Sequence, residues 1–228
     1  QLIEKYDLVA VPVVDSIGRL VGRITVDDVM DEVREQAERD YQLASGLSQD
    51  VETDDSVFRQ TTARLPWLLI GMIGGIGNSM ILGNFDSTFA AHPEMALYIP
   101  LIGGTGGNVG TQSSALVVQG LANSSLDAHN TWKQIVKESV VAVINATIIS
   151  MLVYIYNFIR FGATATVSYS VSVSLFAVVM FASIFGTLVP MTLEKLKIDP
   201  AIATGPFISI TNDIIGMMLY MGITVLLS

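Results

Sequence analysis

Five long apolar runs in the second part of the chain constrain its fold more than any other feature. They cover approximately residues 66–85, 96–122, 135–159, 168–192 and 201–227. Each run is long enough to cross a bilayer as a helix, which takes about 20 residues. With 51% hydrophobic residues, the chain is also too apolar for an ordinary soluble domain. We therefore predict an α fold, with a five-helix transmembrane bundle over residues 66–228 and Pro66 at the start of its first helix.

The first 65 residues form an acidic head. They hold 14 acidic and 7 basic residues, against 7 and 5 in the remainder. Short β-branched runs on either side of the turn DSIGR predict helix, strand, turn, strand and helix within residues 1–34. Thr25 fits the N-cap of the second helix, with Asp28 three residues on as in a capping box, and the helix should end near Gly46. Because the chain opens as if inside a folded unit, we expect further sequence to precede it.

The distribution of basic residues predicts how the bundle is oriented. One side of the predicted membrane carries Arg59, Arg64, Lys133, Lys137, Lys195 and Lys197, whereas the other carries only Arg160. The positive-inside rule then places the N-terminal segment in the cytoplasm and the C-terminus on the outer side of the cell membrane. The chain has no cysteine, which excludes disulfides and thiolate metal sites, and no basic stripe of the kind that binds nucleic acid.

Asp213 is the only acidic residue deep within any of the five predicted spans. A carboxylate at membrane depth is costly unless it faces a polar cavity, a partner or an ion. Helical spacing places it on one small or polar stripe of the last span, which comprises Gly205, Ser209, Asp213, Gly216, Tyr220 and Thr224. A helix-packing face, with Asp213 bonded to a neighbouring Asn or Ser, would also explain the stripe. We favour the functional interpretation because acids within membranes usually mark functional sites.

The second span contains a cluster of five glycines in the stretch GGTGGNVG, including Gly106 and Gly107. Such a helix is expected to be loosened or broken, which would free backbone carbonyls beside a cavity. Asn108 belongs to a neutral polar stripe with Thr105, Gln112 and Gln119. Packing of helices through small residues is the alternative, and the sequence does not separate the two.

Together the two segments supply carboxylate, hydroxyl, amide and carbonyl oxygens without histidine or cysteine. An all-oxygen set suits a hard cation rather than a softer metal. A divalent ion is plausible if two copies of Asp213 meet on the axis of a homodimer. Mg²⁺ keeps much of its water and needs few direct ligands, so a sparse oxygen-lined pore is chemically sufficient.

The same segments resemble the MgtE-type magnesium channel and transporter family, which is related to a eukaryotic solute-carrier family. The resemblance is carried by RLPWLL at the first span, GGTGGNVGTQ in the second, and DPAIATGPFISITNDIIGMMLY at the last. It covers nearly the whole chain and implies a homodimeric, multi-pass membrane protein that transports Mg²⁺. The acidic residue of the family's pore falls on Asp213. Some members have Asn at the positions of Thr111 and Gly205, and in those members both Asn residues border the ion path.

We therefore predict that the metal site is formed by residues of the second and last spans that the resemblance also implicates. They are Asp213, Ser209, Gly205, Asn108, Thr111, Gly106 and Gly107.

The acidic head resembles part of a regulatory module. Residues 1–30 resemble the C-terminal half of a CBS domain, and residues 31–65 resemble the plug-like connecting helix and acidic linker of the family. In the family, paired CBS domains sense cytosolic magnesium, which implies a regulatory as well as a transported ion. A Thr-x-x-Asp pair such as Thr25 and Asp28 binds adenine nucleotide in some CBS domains, but a capping box explains the same pair, and we assign no nucleotide site to it. Mg²⁺ is the one cofactor that we predict.

The resemblance implies a Mg²⁺-selective channel gated by cytosolic Mg²⁺. The alternative is an exchanger that couples Mg²⁺ to Na⁺ or H⁺, although no inverted repeat is evident in the sequence. A membrane sensor that binds magnesium without passing it is a third class. We predict no enzymatic activity, since the spans contain neither a cysteine nor a cluster of histidine ligands.

Overall fold

The chain divides into two compact units, which are described separately. The computed structural model describes residues 2–123, 126, 131–162 and 166–227. The first unit comprises Gln1–Gln42 and the second Leu43–Ser228. This division falls within the segment that the sequence assigned to the connecting helix, and the predicted domain limits at residues 30 and 65 stay a prediction.

The first unit contains a two-stranded antiparallel sheet between two helices. Helix α1 covers Leu2–Lys5, strand β1 Ala10–Val14, strand β2 Leu20–Thr25 and helix α2 Val26–Ala44. In the turn, the Asp15 carboxylate accepts hydrogen bonds from the backbone N–H groups of Ile17 and Arg19, and Gly18 supplies the positive φ that the turn requires. The strands pair from Ala10 opposite Thr25. The predicted order of helix, strand, turn, strand and helix is therefore confirmed.

Helix α2 begins with the capping arrangement that the sequence predicts. The Thr25 hydroxyl donates to the Asp28 carboxylate over 2.6 Å, and the backbone N–H of Thr25 donates to the same oxygen over 2.8 Å. The hydroxyl hydrogen bond lowers the pKa of Asp28 below its usual value. The helix ends at Ala44, close to the predicted end at Gly46. Gly46 has a φ of +84°, which explains why glycine occupies this position.

The second unit is built from helices. Helix α3 covers Val57–Gly83, α4 Asp86–Ala91, α5 Ile99–Ala122, α6 Thr131–Phe161, α7 Thr166–Lys195 and α8 Pro206–Leu227. Short 3₁₀ segments at Pro93–Tyr98 and Pro200–Ala203 precede α5 and α8. The long helices overlap the five predicted apolar runs in order, and the connection between α3 and α5 contains the short helix α4.

The prediction that Pro66 begins the first long helix is wrong. Helix α3 starts nine residues earlier at Val57, where the Ser56 hydroxyl accepts a hydrogen bond from the backbone N–H of Arg59. Pro66 lies inside this helix. The first turns of α3 are charged and polar, so an apolar run does not detect them, although Ser56 is a favoured capping residue.

Four helices are long and apolar enough to cross a membrane, judged over the described residues. They are α3, α6, α7 and α8. Helix α5 has the required length, with 24 residues, but its glycines and polar side chains lower its hydropathy. The structure therefore shows a helical protein with four membrane-compatible helices, and a fifth crossing by α5 is not established by composition.

Helix α7 lies at the centre of the second unit. It packs against α5, α6 and α8, and its buried residues include Val171, Leu175 and Val179. Helix α3 lies mainly along α8, where Gly74 makes room for Ile210. Most of its apolar surface is exposed in a single chain. Helices α5 and α8 are thus held side by side against α7, which sets the geometry of the candidate site.

Candidate functional site

Helix α8 presents a buried row to the core and a second polar row beside it. The buried row contains Ile208, Asn212, Gly216, Tyr220 and Thr224, spaced four residues apart. Spacing of this kind winds slowly around an α-helix, so the row faces α5 and α7 along the length of α8. Asp213 and Ser209 lie one position further around. They are only partly buried, which places their oxygens at the edge of the core.

The Asp213 carboxylate faces the glycine cluster of α5. A Cβ built on Gly103 would lie 3.4 Å from its Oδ1 atom, and one built on Gly107 would lie 3.6 Å from the same atom. No hydrogen-bond donor or ion-pair partner reaches this carboxylate from the residues that the structure describes. The alternative interpretation from sequence, in which Asp213 bonds to a neighbouring Asn or Ser, is not observed.

Ser209 and Gly107 are brought together with Asp213. A Cβ on Gly107 would lie 2.9 Å from the Ser209 hydroxyl oxygen, so the absence of a side chain at Gly107 keeps that hydroxyl and the carboxylate accessible. Gly103 shares this role, and sequence reasoning did not select it individually. Its position four residues before Gly107 was the available signal.

Thr111 and Asn108 lie further from the carboxylate. The Thr111 hydroxyl donates to the backbone carbonyls of Gly107 and Asn108, each over 3.0 Å, and so is bound back to its own helix. The Asn108 side chain is exposed. Neither side chain is shown in contact with Asp213, and their assignment to an ion path stays a prediction.

Gly106 faces away from Asp213. A Cβ there would lie 2.9 Å from a Val178 methyl group, so this glycine allows α5 to approach α7. The expected loosening of the glycine-rich segment is wrong, because α5 is one continuous α-helix from Ile99 to Ala122. Close packing against α7 and α8 holds the glycines in helical geometry despite their low helix propensity.

Gly205 lies at the start of α8 with a φ of +54°. A Cβ there would overlap the backbone carbonyl of Ala44, so both the backbone conformation and the close approach require glycine. The Gly205 carbonyl accepts a hydrogen bond from the backbone N–H of Ser209 over 3.0 Å. This oxygen is therefore engaged in the first turn of α8, rather than being free for an ion.

Glu138 on α6 is a carboxylate more deeply buried than Asp213, and it was not predicted as a functional residue because it lies near the edge of the third apolar run. It is only 8% exposed. Its Oε1 atom accepts hydrogen bonds from Ser113 of α5 and Ser183 of α7, over 2.6 and 2.5 Å. The sequence does contain a signal for its burial. Small residues follow Glu138 at four-residue spacing and mark the buried face of α6, namely Ala142, Ala146 and Ser150.

The site around Asp213 has the chemistry of a weak, open cation site. The described residues contain no group of three or more His, Cys, Asp or Glu side chains able to enclose a metal ion. One carboxylate and one hydroxyl instead leave most of an ion's coordination to water, as Mg²⁺ prefers. Such a site can hold an ion briefly, which passage through a pore requires.

Fold and site together define a class, the multi-pass helical membrane proteins with an acidic residue beside a glycine-rich helix. Comparison with known proteins gives the particular family. The profile of the MgtE family, described as a divalent cation transporter, matches residues 99–223. The chain belongs to this family, which confirms the resemblance seen in the sequence.

Three curated relatives bear the name magnesium transporter MgtE. The one from Bacillus subtilis (strain 168) is 34% identical over 223 residues, covering 98% of this chain and 49% of its own length. The one from Thermus thermophilus is 33% identical over 233 residues, covering 100% of this chain and 50% of its own. The one from Enterococcus faecalis is 30% identical over 223 residues, with coverages of 98% and 49%. The chain thus spans about half the length of each relative.

Proposed function

We propose that this chain conducts Mg²⁺ across the cell membrane as a channel, with Asp213 as the ion-binding carboxylate of the pathway. The observation that carries the proposal is the environment of this carboxylate. It lies on a membrane-compatible helix beside Gly103 and Gly107, and no described residue neutralises it or donates to it. An unpaired acid at that depth is costly unless an ion or water accompanies it.

The chemistry of the site and the names of the relatives favour Mg²⁺ as the ion. Carboxylate and hydroxyl oxygens select hard cations, and a site with few direct ligands suits an ion that retains its water. The related proteins of known name are magnesium transporters. In this proposal Asp213 attracts the hydrated ion, while the glycines leave room for its water shell.

Helix α5 is proposed as the fifth crossing. Its 24 residues would extend for about 36 Å, enough for a bilayer core. Four of its glycines, together with Ser113 and Ser114, are buried inside the protein, so lipid need not solvate these residues. With five crossings, the basic residues of alternate connections favour an orientation with the N-terminal segment in the cytoplasm and the C-terminus outside.

A homodimer and a CBS-type regulatory head complete the proposal. A second copy would supply a second Asp213, giving two carboxylates for a divalent charge. The apolar surface of α3 that is exposed in a single chain would be covered by lipid or by that copy. The hairpin and helices of residues 2–44 have the element order expected for half of a CBS domain. Mg²⁺ bound by the acidic head would favour a closed state only by its difference in affinity between the two states.

Uptake into liposomes tests the proposal. Purified protein is reconstituted with an entrapped fluorescent Mg²⁺ indicator, and wild type is compared with Asp213→Asn and with Asp86→Asn. Asp86 is an exposed acid on the short helix α4, so its substitution controls for the loss of one charge. We expect Asp213→Asn to abolish saturable uptake and Asp86→Asn to retain it. Normal uptake by folded Asp213→Asn would overturn the assignment.

Unitary currents in planar bilayers separate the channel from the coupled exchanger. A channel gives discrete steps under a Mg²⁺ gradient alone, whereas an exchanger gives no steps and requires an opposing Na⁺ or H⁺ gradient. Uptake that depends on such a gradient would replace the channel with the exchanger. Mg²⁺ binding without any uptake would instead indicate a sensor.

A further inference from the structure

Three helices of the second unit meet at a triangle of oxygen atoms that the Asp213 pathway does not use. It consists of Glu138 Oε1 on α6, Ser113 Oγ on α5 and Ser183 Oγ on α7, which we call the oxygen triangle. Its sides measure 2.6 Å from Ser113 to Glu138, 2.5 Å from Ser183 to Glu138 and 3.1 Å between the serines. All three residues are more than nine-tenths buried.

Both serine hydroxyls are placed to donate to the same carboxyl oxygen of Glu138. Two hydroxyl protons then serve two of the three sides, and the third side lacks a hydrogen. Hydroxyls that donate to a carboxylate make short bonds of about 2.5–2.7 Å, which fits the two sides at Glu138. The longer side between the serines is the one without a proton. The triangle is thus explained by two serines that both donate to one carboxyl oxygen.

The second carboxylate oxygen, Oε2, has no hydrogen-bond partner among the described residues. Glu138 lines a cavity of about 540 Å³ that is formed by α5, α6 and α7, together with Leu126. Lys137 lines the same cavity, yet no described lysine or arginine forms an ion pair with Glu138 within 4.0 Å. A carboxylate buried to this extent needs a counter-charge or water, and the cavity that Glu138 lines has room for either.

We propose that this cavity is a binding site for a monovalent metal cation, held by Glu138 Oε2 and neutral oxygens. The charge balance favours a single positive charge. One carboxylate neutralises one such ion, whereas a divalent ion would leave an excess positive charge beside Lys137. Amide side chains in the lining, among them Gln112, Gln134 and Asn145, supply neutral oxygens. Hard monovalent ions such as Na⁺ are bound by oxygen ligands of this kind.

The site is separate from the proposed Mg²⁺ position. Asp213 faces Gly103 and Gly107 on the α8 side of α5, whereas Ser113 faces α6 and α7. Gly107 and Ser113 are six residues apart, which places them about 120° apart around the helix. Helix α5 therefore lies between the two carboxylates, and each can be altered without a direct contact to the other.

Equilibrium binding of radioactive Na⁺ to the purified full chain in lipid nanodiscs tests the proposal. We expect saturable binding by wild type, a loss of at least about tenfold in affinity for Glu138→Gln, and unchanged Na⁺ binding for Asp213→Asn. Glu94→Gln, which alters an acid outside the long helices, serves as the charge-matched control. Equal Na⁺ binding by wild type and Glu138→Gln would overturn the site, and displacement of Na⁺ by Mg²⁺ at equal concentration would overturn its monovalent character.

A second measurement covers the case in which Glu138→Gln does not fold. Crystals of wild-type protein soaked in Tl⁺, a heavy monovalent ion, should show an anomalous peak within coordination distance of Glu138 Oε2. Ser183→Ala removes one donor from Oε1 and keeps the carboxylate, and it should weaken the peak. An empty cavity, or one that contains only water in the presence of Tl⁺, would refute the proposal. Because Mg²⁺ uptake is measured independently, failure of this site leaves the channel proposal intact.

Discussion

Replacing Gly107 by alanine is the sharpest test of the space beside Asp213. The added methyl carbon would lie 2.9 Å from the Ser209 hydroxyl and 3.6 Å from Asp213 Oδ1. The first distance is shorter than the ordinary van der Waals range of 3.4–4 Å, so Ser209 has to move. It is a small side chain that can rotate, and we expect the protein to fold while the space for the ion decreases.

The expected magnitudes follow from this geometry. Forcing one extra methyl group into packed surroundings costs about 1–3 kcal/mol, whereas alanine gains about 1 kcal/mol over glycine in helix propensity. The free energy of unfolding should therefore fall by at most about 2 kcal/mol. If the packing cost raises the barrier for the ion, uptake should fall about 5- to 150-fold.

Two glycines on the same helix provide graded controls. Around Gly104 there is no atom within 4 Å of an added methyl group, so Gly104→Ala should keep uptake within about twofold of wild type. At Gly103 the methyl would lie 3.4 Å from Asp213 Oδ1, an ordinary contact, and uptake should be intermediate. The assay is initial Mg²⁺ uptake into liposomes, normalised to reconstituted protein. Equal uptake by folded Gly107→Ala and Gly104→Ala would refute the reasoning.

Three further outcomes are expected. Asp213→Asn should bind Mg²⁺ at least about tenfold more weakly in titration calorimetry, with its melting temperature unchanged or raised. Gly186→Ala would place its methyl group within 3.2 Å of the α5 backbone, and thermal unfolding should show a loss of about 1–3 kcal/mol in stability. Gly222→Ala is the control, because a methyl group there meets no atom within 4 Å and should leave the stability unchanged. Because the Thr25 hydroxyl lowers the pKa of Asp28, the start of α2 should be stabilised above the ordinary pKa of aspartate and lose that stabilisation as pH falls through the lowered pKa. Amide exchange against pH, compared with Thr25→Val, measures this effect.

The order of the elements could be predicted from the sequence because hydropathy and turn chemistry are local. The hairpin, the capping of α2 by Thr25 and the succession of long helices all follow from residues close together in the chain. The start of α3 was missed since its first turns are polar and its signal, Ser56, is a single residue. Pro66 was misplaced because proline is tolerated within a helix when neighbouring structure compensates for its missing N–H group.

The site was only partly predictable because it depends on contacts between helices. Asp213 and Ser209 could be found from spacing on one helix. That Gly107 faces them while Gly106 faces α7 depends on how α5 is rotated, which a cluster of adjacent glycines does not specify. Glu138 could not be paired with Ser113 and Ser183 because the contact joins three helices that are far apart in sequence.

The oxygen triangle also has a consequence for the order in which the bundle is assembled during synthesis. Ser113 precedes Glu138 by 25 residues, whereas Ser183 follows it by 45. Helix α6 therefore enters the membrane with only one of its two hydroxyl partners already made. Its most apolar stretch, with a mean hydropathy of 2.0, favours insertion in spite of the carboxylate. Arrival of α7 then completes the contact, and the directional hydrogen bond from Ser183 to Glu138 helps to fix the rotation of α7 about its axis.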